Sequence, residues 1–232
     1  MTRIVIEAGR ALYLGPALDL AEHRIAAATV AVGFERPFRR ALGSQSLRPR
    51  RAALIPPGTH HHLVAEGAMG FVYLDGLADD VAALRERDLE EHADAVIAAL
   101  RDPTEGPLPR ALGQLGVVPR PAPPAHVART VRALEQDPGR FPRVEAAAAH
   151  AGLSASRFQH VFRAATGMPF RRYRLWRRMA LAVATIARGR TLTEAAHDAG
   201  FAGSAHFSAA FRDMFGLPPS ALVRLDPRIE LV

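Results

Sequence analysis

The 232-residue chain contains no cysteine and no lysine. Without cysteine there is no structural disulfide, no zinc–thiolate centre and no thiol nucleophile. All 30 basic residues are arginine, a bias of the kind a GC-rich genome produces and not in itself a functional signal. Long apolar runs are also missing: no stretch approaches ~18 uninterrupted apolar residues. The first ten residues, Met1 to Arg10, lack the apolar segment of a signal peptide. The expectation is a bacterial cytoplasmic protein without membrane contact.

The hydrophobic fraction of 49% is enough for a packed core. Charge is divided unevenly. Residues 1–125 hold 14 Arg against 15 acidic residues, a net −1; residues 126–232 hold 16 Arg against 8, a net +8. The whole excess sits in the second half, and a polyanion is the simplest partner for it, bound in a strongly salt-dependent way.

That second half repeats itself. Glu145–Pro169 aligns without a gap on Glu194–Pro218, with Phe158 matching Phe207, Phe162 Phe211, Arg163 Arg212 and Gly167 Gly216, always 49 residues apart. Each copy reads as a short helix, a turn and a second helix. In the first copy Gly152 allows the turn and Ser154 is a good N-cap. Phe158, Val161, Phe162 and Ala165 then fall on one helical face, and Gly167 with Pro169 ends the helix. The opposite face carries Ser156, His160 and Arg163, flanked by Arg157 and Gln159. In the second copy Phe207, Ala210, Phe211 and Met214 point inward, while Ala205, Ala209 and Arg212 point outward beside His206 and Ser208. Two such units form helix-turn-helix motifs, whose second helix can lie in the DNA major groove. An ordinary helical hairpin with a solvated polar face is the alternative for either copy alone. The segment from Phe170 to Arg188 predicts a connecting helix of ~28 Å, which would set the two reading helices about one DNA turn, ~34 Å, apart.

At these residues the chain resembles the AraC/XylS family of transcription regulators. The resemblance rests on Ala151–Phe158, Phe162-Arg and Thr166–Pro169 in the first copy. In the second it rests on Ala195–Phe201, Ser204–Phe207, Ala210–Arg212 and Phe215–Ser220. It covers roughly Val127 to Leu225 and implies a DNA-binding domain of two helix-turn-helix units bridged by a linker helix. The absence of cysteine separates the chain from the family's methyl-accepting DNA-repair regulators. The DNA-binding residues so implied are Ser154, Ser156, Arg157, Gln159, His160 and Arg163, with Ser204, His206, Ser208 and Arg212. Many family members carry a basic residue at the position of Ala209 and an Asp at that of Gly203. The first reading helix is therefore expected to carry most base discrimination, with Arg212 and Ser204 anchoring phosphate or one base. Arg171, Arg172, Arg174, Arg177 and Arg178 of the connecting helix have two readings, phosphate contact or plain surface, and Leu175, Tyr173 and Trp176 are its expected packing residues.

Residues 2–75 read as short strands: Ile4–Ile6 and Ala11–Leu14 around a Gly9 turn, then Arg24–Val32, Ala52–Ile55, His61–Val64 and Gly70–Leu74. The family resemblance implies a cupin-like domain here. Pro56–His61 resembles the second cupin motif, with His61 at a metal-ligand position, but the first motif's His-x-His pair and Glu are missing and only His23 stands nearby. In a strand, His60 and His62 share one face and His61 takes the other, so at most two can chelate one ion. Metal binding, an effector pocket and a surface or core role all stay open for these histidines. Phe34, Phe38, Phe71 and Tyr73 fit a core better than a ligand box. From Leu77 to Leu100 an amphipathic pattern, including the charged run Arg85–Glu91, predicts helix, with Ala93, Val96, Ile97 and Leu100 either covering the β domain or meeting a second subunit. Seven prolines between Asp102 and Ala125 predict an extended linker, with Arg110–Leu115 able to form a turn.

The expectation is thus an α+β protein. A small all-β cupin-like domain spans residues 1–76, a helical segment 77–101, a proline-rich linker 102–125 and the DNA-binding domain 126–225. The function expected is sequence-specific transcription regulation without catalysis, metal or cofactor. Double-stranded DNA is the partner, RNA polymerase and a small-molecule effector are further ones, and the protein is a monomer or a homodimer. Two other readings are a metal-binding cupin enzyme with a DNA-binding tail and a weakly specific architectural DNA binder.

Overall fold

The computed structural model describes residues 2–7, 10–74, 81, 84, 88–102, 107–117 and 122–231. They divide into two compact units, residues 1–120 with 211–232 and residues 121–210. The first unit is built on strands β1 (Arg3–Glu7), β2 (Arg10–Pro16), β3 (His23–Arg24), β4 (Ala28–Gly33), β5 (Phe38–Leu42), β6 (Arg48–Arg50), β7 (Ala52–Ile55), β8 (His60–Val64) and β9 (Ala68–Leu74), with β10 (Arg228–Leu231) added from the far end of the chain. They form a six-stranded sheet in the order β10-β1-β2-β9-β4-β7 and a four-stranded sheet in the order β3-β8-β5-β6. The Gly9 turn expected between β1 and β2 lies outside the described residues.

Three features differ from the sequence expectation. The run Arg24–Val32 is two strands in two sheets: Arg24 pairs with His60 in the small sheet, and Thr29 pairs with Ile55 and Tyr73 in the large one. The strands β5 and β6 were not expected, since Arg39, Arg40, Arg48 and Arg50 interrupt the apolar alternation that marks a strand. Pro49 fits β6 because it is an edge strand. The strand β10 lies beyond the expected domains; it pairs in parallel with β1, and Arg3 holds Glu230 through two hydrogen bonds of 2.9 and 2.7 Å.

Helix α1 (Ala93–Arg101) covers the large sheet rather than standing free. Its Val96, Ile97 and Leu100 share one core cluster with Val30 and Val32 of β4, Val5, Leu12 and Val72. Of the rest of the expected 77–100 helix, residues 77–80, 82–83 and 85–87 lie outside the described residues, and the described end of the charged run, Asp88 to His92, is turn rather than helix. The proline-rich segment is corrected in one respect: Pro107–Leu115 is a helix, α2. Both of its prolines sit in the first turn, where no helical N–H bond is lost. Leu108, Ala111, Leu112 and Leu115 repeat at i, i+3, i+4 and i+7 and enter the same core. Burying each leucine contributes roughly 1.5–3 kcal/mol, against a cost of about 1 kcal/mol for the glycine inside the helix.

The second unit is helical. Helix α3 (Ala125–Gln136) buries Val127, Val131 and Leu134 and stops at Asp137. Next come α4 (Val144–Ala151), α5 (Ala155–Thr166), α6 (Phe170–Ala187) and α7 (Leu192–Asp198), then α8 (Ser204–Phe215) and α9 (Pro219–Val223). The helices α5 and α8 begin and end 49 residues apart at both termini, the repeat spacing of the sequence. The division between the two units falls inside α8, after Ala210, so the segment from Phe211 groups with the β unit where the sequence reading had 126–225 as one domain.

Candidate nucleic-acid interface

The first helix-turn-helix is set by three local devices. Gly152 adopts a left-handed φ of 72° and closes α4, its N–H bonding back to Ala149. Ser154 then caps α5, its hydroxyl oxygen accepting the Arg157 N–H at 3.3 Å. At the far end the buried Thr166 hydroxyl lies 2.8 Å from the Phe162 carbonyl and accepts the Met168 N–H at 3.2 Å, fixing the turn into α6.

An aromatic cluster holds the back of α5. Phe158 and Phe162 are fully buried, and both present edge-on contacts to Phe170 at 5.2 Å, while Phe162 meets Tyr173 at 5.3 Å. This cluster gives the helix one orientation. Ser154, Ser156, Arg157, Gln159, His160 and Arg163 are consequently all exposed. Gln159, His160 and Arg163 line one groove of about 720 Å³ together with Arg171 and Arg174 of α6, and no acidic residue lines it. Burial, and then the neighbouring Arg171, lowers the pKa of Arg174 from the ordinary arginine value. A groove with three guanidinium groups and two further hydrogen-bonding side chains is suited to phosphate oxygens and base edges.

Three α6 arginines make internal ties. Arg178 donates to the Ala199 carbonyl at 2.7 Å and lies 4.0 Å over the Phe201 ring. Arg177 pairs with Glu135 at 3.6 Å, and Arg174, although it lines the groove, also donates to the Phe141 carbonyl. Of the packing residues expected in α6, Tyr173 and Trp176 are buried and Leu175 is half-buried. None of these bonds had a sequence signal, because an arginine that serves a carbonyl looks the same in the sequence as one left for phosphate.

In the second unit Thr191 and Glu194 form a reciprocal capping box at the start of α7, with N–H to oxygen distances of 2.8 and 3.2 Å. Helix α8 has no such cap: Gly203 precedes it and supplies only a carbonyl, to Phe207 at 3.0 Å. Phe207, Phe211 and Met214 are buried; Ala205, His206, Ala209 and Arg212 are exposed, and Ser204 and Ser208 are half-buried. His206 is partly engaged, its Nδ1 accepting the Ala202 N–H at 3.4 Å and its ring standing edge-on to Phe201. Asp213 is exposed beside Arg212. A helical wheel places its carboxylate between Ala209 and His206, a feature the sequence reading passed over, and it makes this face poorer for anions.

The histidines of the β unit separate as strand geometry requires. His60 is exposed, His61 buried and His62 half-buried. His61 pairs across the sheet with His23, ring centroids 4.1 Å apart, and the Nδ1 atoms face the carbonyls of Thr59 and Ala21 at 3.0 and 2.8 Å. Among the described residues no group of three or more His, Asp or Glu side chains is arranged to hold a metal ion. Phe34, Phe38 and Phe71 belong to the core.

Residues 147–224 match a family model described as a helix-turn-helix domain. A comparison with curated proteins returned no match. Among solved structures the chain is similar over most of its length to ToxT of Vibrio cholerae. An apo variant of that protein superposes with a TM-score of 0.60 at 11% identity, over 94% of this chain and 97% of ToxT. ToxT of strain O395 gives 0.59 at 11%, over 93% and 96%. No helix among the described residues is long and apolar enough to cross a membrane. Residues 147–224 therefore form a helix-turn-helix domain, carried on a chain with the fold of ToxT.

Proposed function

We propose that the chain is a sequence-specific transcription regulator whose two helix-turn-helix units enter successive major grooves of double-stranded DNA, with α5 carrying most of the base discrimination. The observation that carries this reading is the contrast between two helices of equal length at equal repeat positions. One exposes Arg157, Gln159, His160 and Arg163 beside Arg171; the other exposes two alanines, with Arg212 next to Asp213. Arginine pairs bidentately with guanine and glutamine with adenine, each pair contributing ~1–3 kcal/mol of discrimination. Ser154 and Ser204 act near helix starts, where a phosphate is favoured. The β unit serves as the sensing part or as a dimer contact, and RNA polymerase is a further partner. The reading needs no catalysis and places the protein in the cytoplasm.

A binding titration at fixed salt, comparing DNA from upstream of its own gene with a scrambled duplex of equal length, tests the proposal. A preference of about 10³-fold is expected of a specific regulator. Equal, salt-sensitive affinity for both duplexes and for a pool of random sequences would leave an architectural DNA binder instead.

A further inference from the structure

The outward face of α8 differs from that of α5 in kind as well as in strength. At positions offset by 49 residues, Ser156, Arg157 and His160 of α5 give way to Ala205, His206 and Ala209 of α8. All three replacements are exposed, while Phe207, Phe211 and Met214 bury the opposite face. The helix thus turns outward two methyl groups and an imidazole. At ~100° per residue Ala205 and Ala209 lie one turn apart in the middle of this face, with Arg212 on one side and His206 on the other.

The backbone fixes the hydrogen-bonding sense of His206. Its Nδ1 accepts the Ala202 N–H at 3.4 Å, and its ring stands edge-on to the buried Phe201 with 5.4 Å between centroids. An amide N–H only donates, so Nδ1 holds a lone pair and the neutral ring carries its proton on Nε2. His206 therefore offers an outward donor, as Arg212 does. The acceptor among the exposed side chains is the carboxylate of Asp213, in the last turn of α8, whereas the first turns of a reading helix meet the bases.

Methyl groups flanked by donors complement one base edge. In the major groove thymine alone presents an apolar group, the C5-methyl, together with an acceptor, O4. Guanine offers acceptors but no methyl, and adenine and cytosine present amino groups that this face leaves unpaired, at the cost of their desolvation. We propose that α8 reads thymine, Ala205 and Ala209 packing on C5-methyl groups while His206 Nε2 donates to O4. The proposal rests on reading the chain as a sequence-specific regulator and names the base its second reading helix selects.

The test removes single methyl groups from the DNA and leaves the protein untouched. Duplexes are enriched from a random pool by the full-length protein, and each thymine of the enriched duplex is replaced in turn by deoxyuridine, which keeps O4 and lacks the methyl. At one or two thymines the affinity should fall about fourfold, the factor that corresponds to one buried methyl group. Ala205→Gly or Ala209→Gly should cancel the fall at one of these positions, with folding checked by circular dichroism. Should a glycine variant fail to fold, Ala209→Asn, which puts an amide where the methyl contact was, takes its place and should cancel the fall as well. No loss at any thymine, or losses that all persist in the folded alanine variants, would overturn the thymine reading, and the regulator reading would stand if the enriched duplex were still preferred to a scrambled one. Failure to enrich any sequence, with equal affinity for scrambled DNA, would remove the regulator reading and the thymine reading with it.

Discussion

Ala21 donates its backbone N–H to the carbonyl oxygen of Gly216 at 2.9 Å, so the residue that ends α8 is seated against the segment leading into β3. Phe215 adds an edge-on contact to Tyr73 at 6.2 Å. Gly216 has φ 76°, and a Cβ there would lie 2.6 Å from His23 Nδ1 and 2.7 Å from the Ala21 oxygen. Its repeat counterpart Gly167 has φ 75° with nothing within 4 Å. The two positions thus share a backbone and differ in surroundings. Gly167→Ala should cost only the left-handed penalty of about 1–2 kcal/mol. Gly216→Ala should cost clearly more, read as a larger fall in melting temperature. Equal falls would contradict the contact.

Acidification should weaken the β unit through His61. Burial, followed by the charge of His23, pushes the pKa of His61 down to about 4, with the Thr59 carbonyl acting in the opposite sense. Burial lowers His23 as well. In the unfolded chain both titrate near 6.5. The unfolded state therefore binds more protons below that value, so the stability is fully present above about pH 6.5 and is lost as pH falls toward 4. The slope is at most about 1.4 kcal/mol per pH unit for each histidine. Melting temperatures measured from pH 8 to pH 5 should fall below 6.5, and His61→Gln should flatten the curve. A variant with the wild-type slope would rule out this source.

Where the sequence was legible, one physical period governed. The apolar faces of α5 and α8 follow 3.6 residues per turn, and their glycine ends fix both boundaries, so helix limits and exposed residues could be read directly. The stripe Ala93, Val96, Ile97 and Leu100 was legible for the same reason, though its partner was not. The run from Arg24 was opaque because a string that is apolar save for the buried Thr29 carries no mark of where the chain leaves one sheet for another. Helix α2 was hidden behind prolines whose cost vanishes in a first turn, and β10 is four residues held by partners 225 positions away in sequence, as Arg3 with Arg228 shows. At the candidate interface the exposed polar face of α5 was visible, while the carbonyl ties of Arg174 and Arg178 depend on distant backbone and were not.

Helix α8 begins without a side-chain cap, and the space beside Gly203 is open. Gly203→Asp should therefore stabilise the protein by a few tenths to about 1 kcal/mol, through the cap and the lost freedom of glycine in the unfolded chain. Denaturant unfolding monitored by the single tryptophan, Trp176, reads this in the helical unit. An unchanged or lower midpoint would count against the uncapped start.

The α6 arginines should sort into two classes. Arg171 is exposed and lines the groove, so Arg171→Ala should leave the melting temperature unchanged and reduce the slope of log affinity against log salt by about 1. Arg178 holds Ala199 and Phe201, so Arg178→Ala should lower the melting temperature and leave the salt slope of the folded protein unaltered. The reverse assignment in salt titrations would show that Arg178 contacts phosphate.

The central claim is that two helices read two grooves unequally, and a single-base substitution scan of the bound DNA with wild type, Arg163→Ala and Arg212→Ala addresses it most directly. The account predicts two clusters of sensitive base pairs about 10–10.5 base pairs apart. Each sensitive position in the stronger cluster should cost ~1–3 kcal/mol, with Arg163→Ala erasing discrimination there and Arg212→Ala mainly lowering affinity for all sequences alike. A single cluster, or equal losses of discrimination in the two variants, would contradict it.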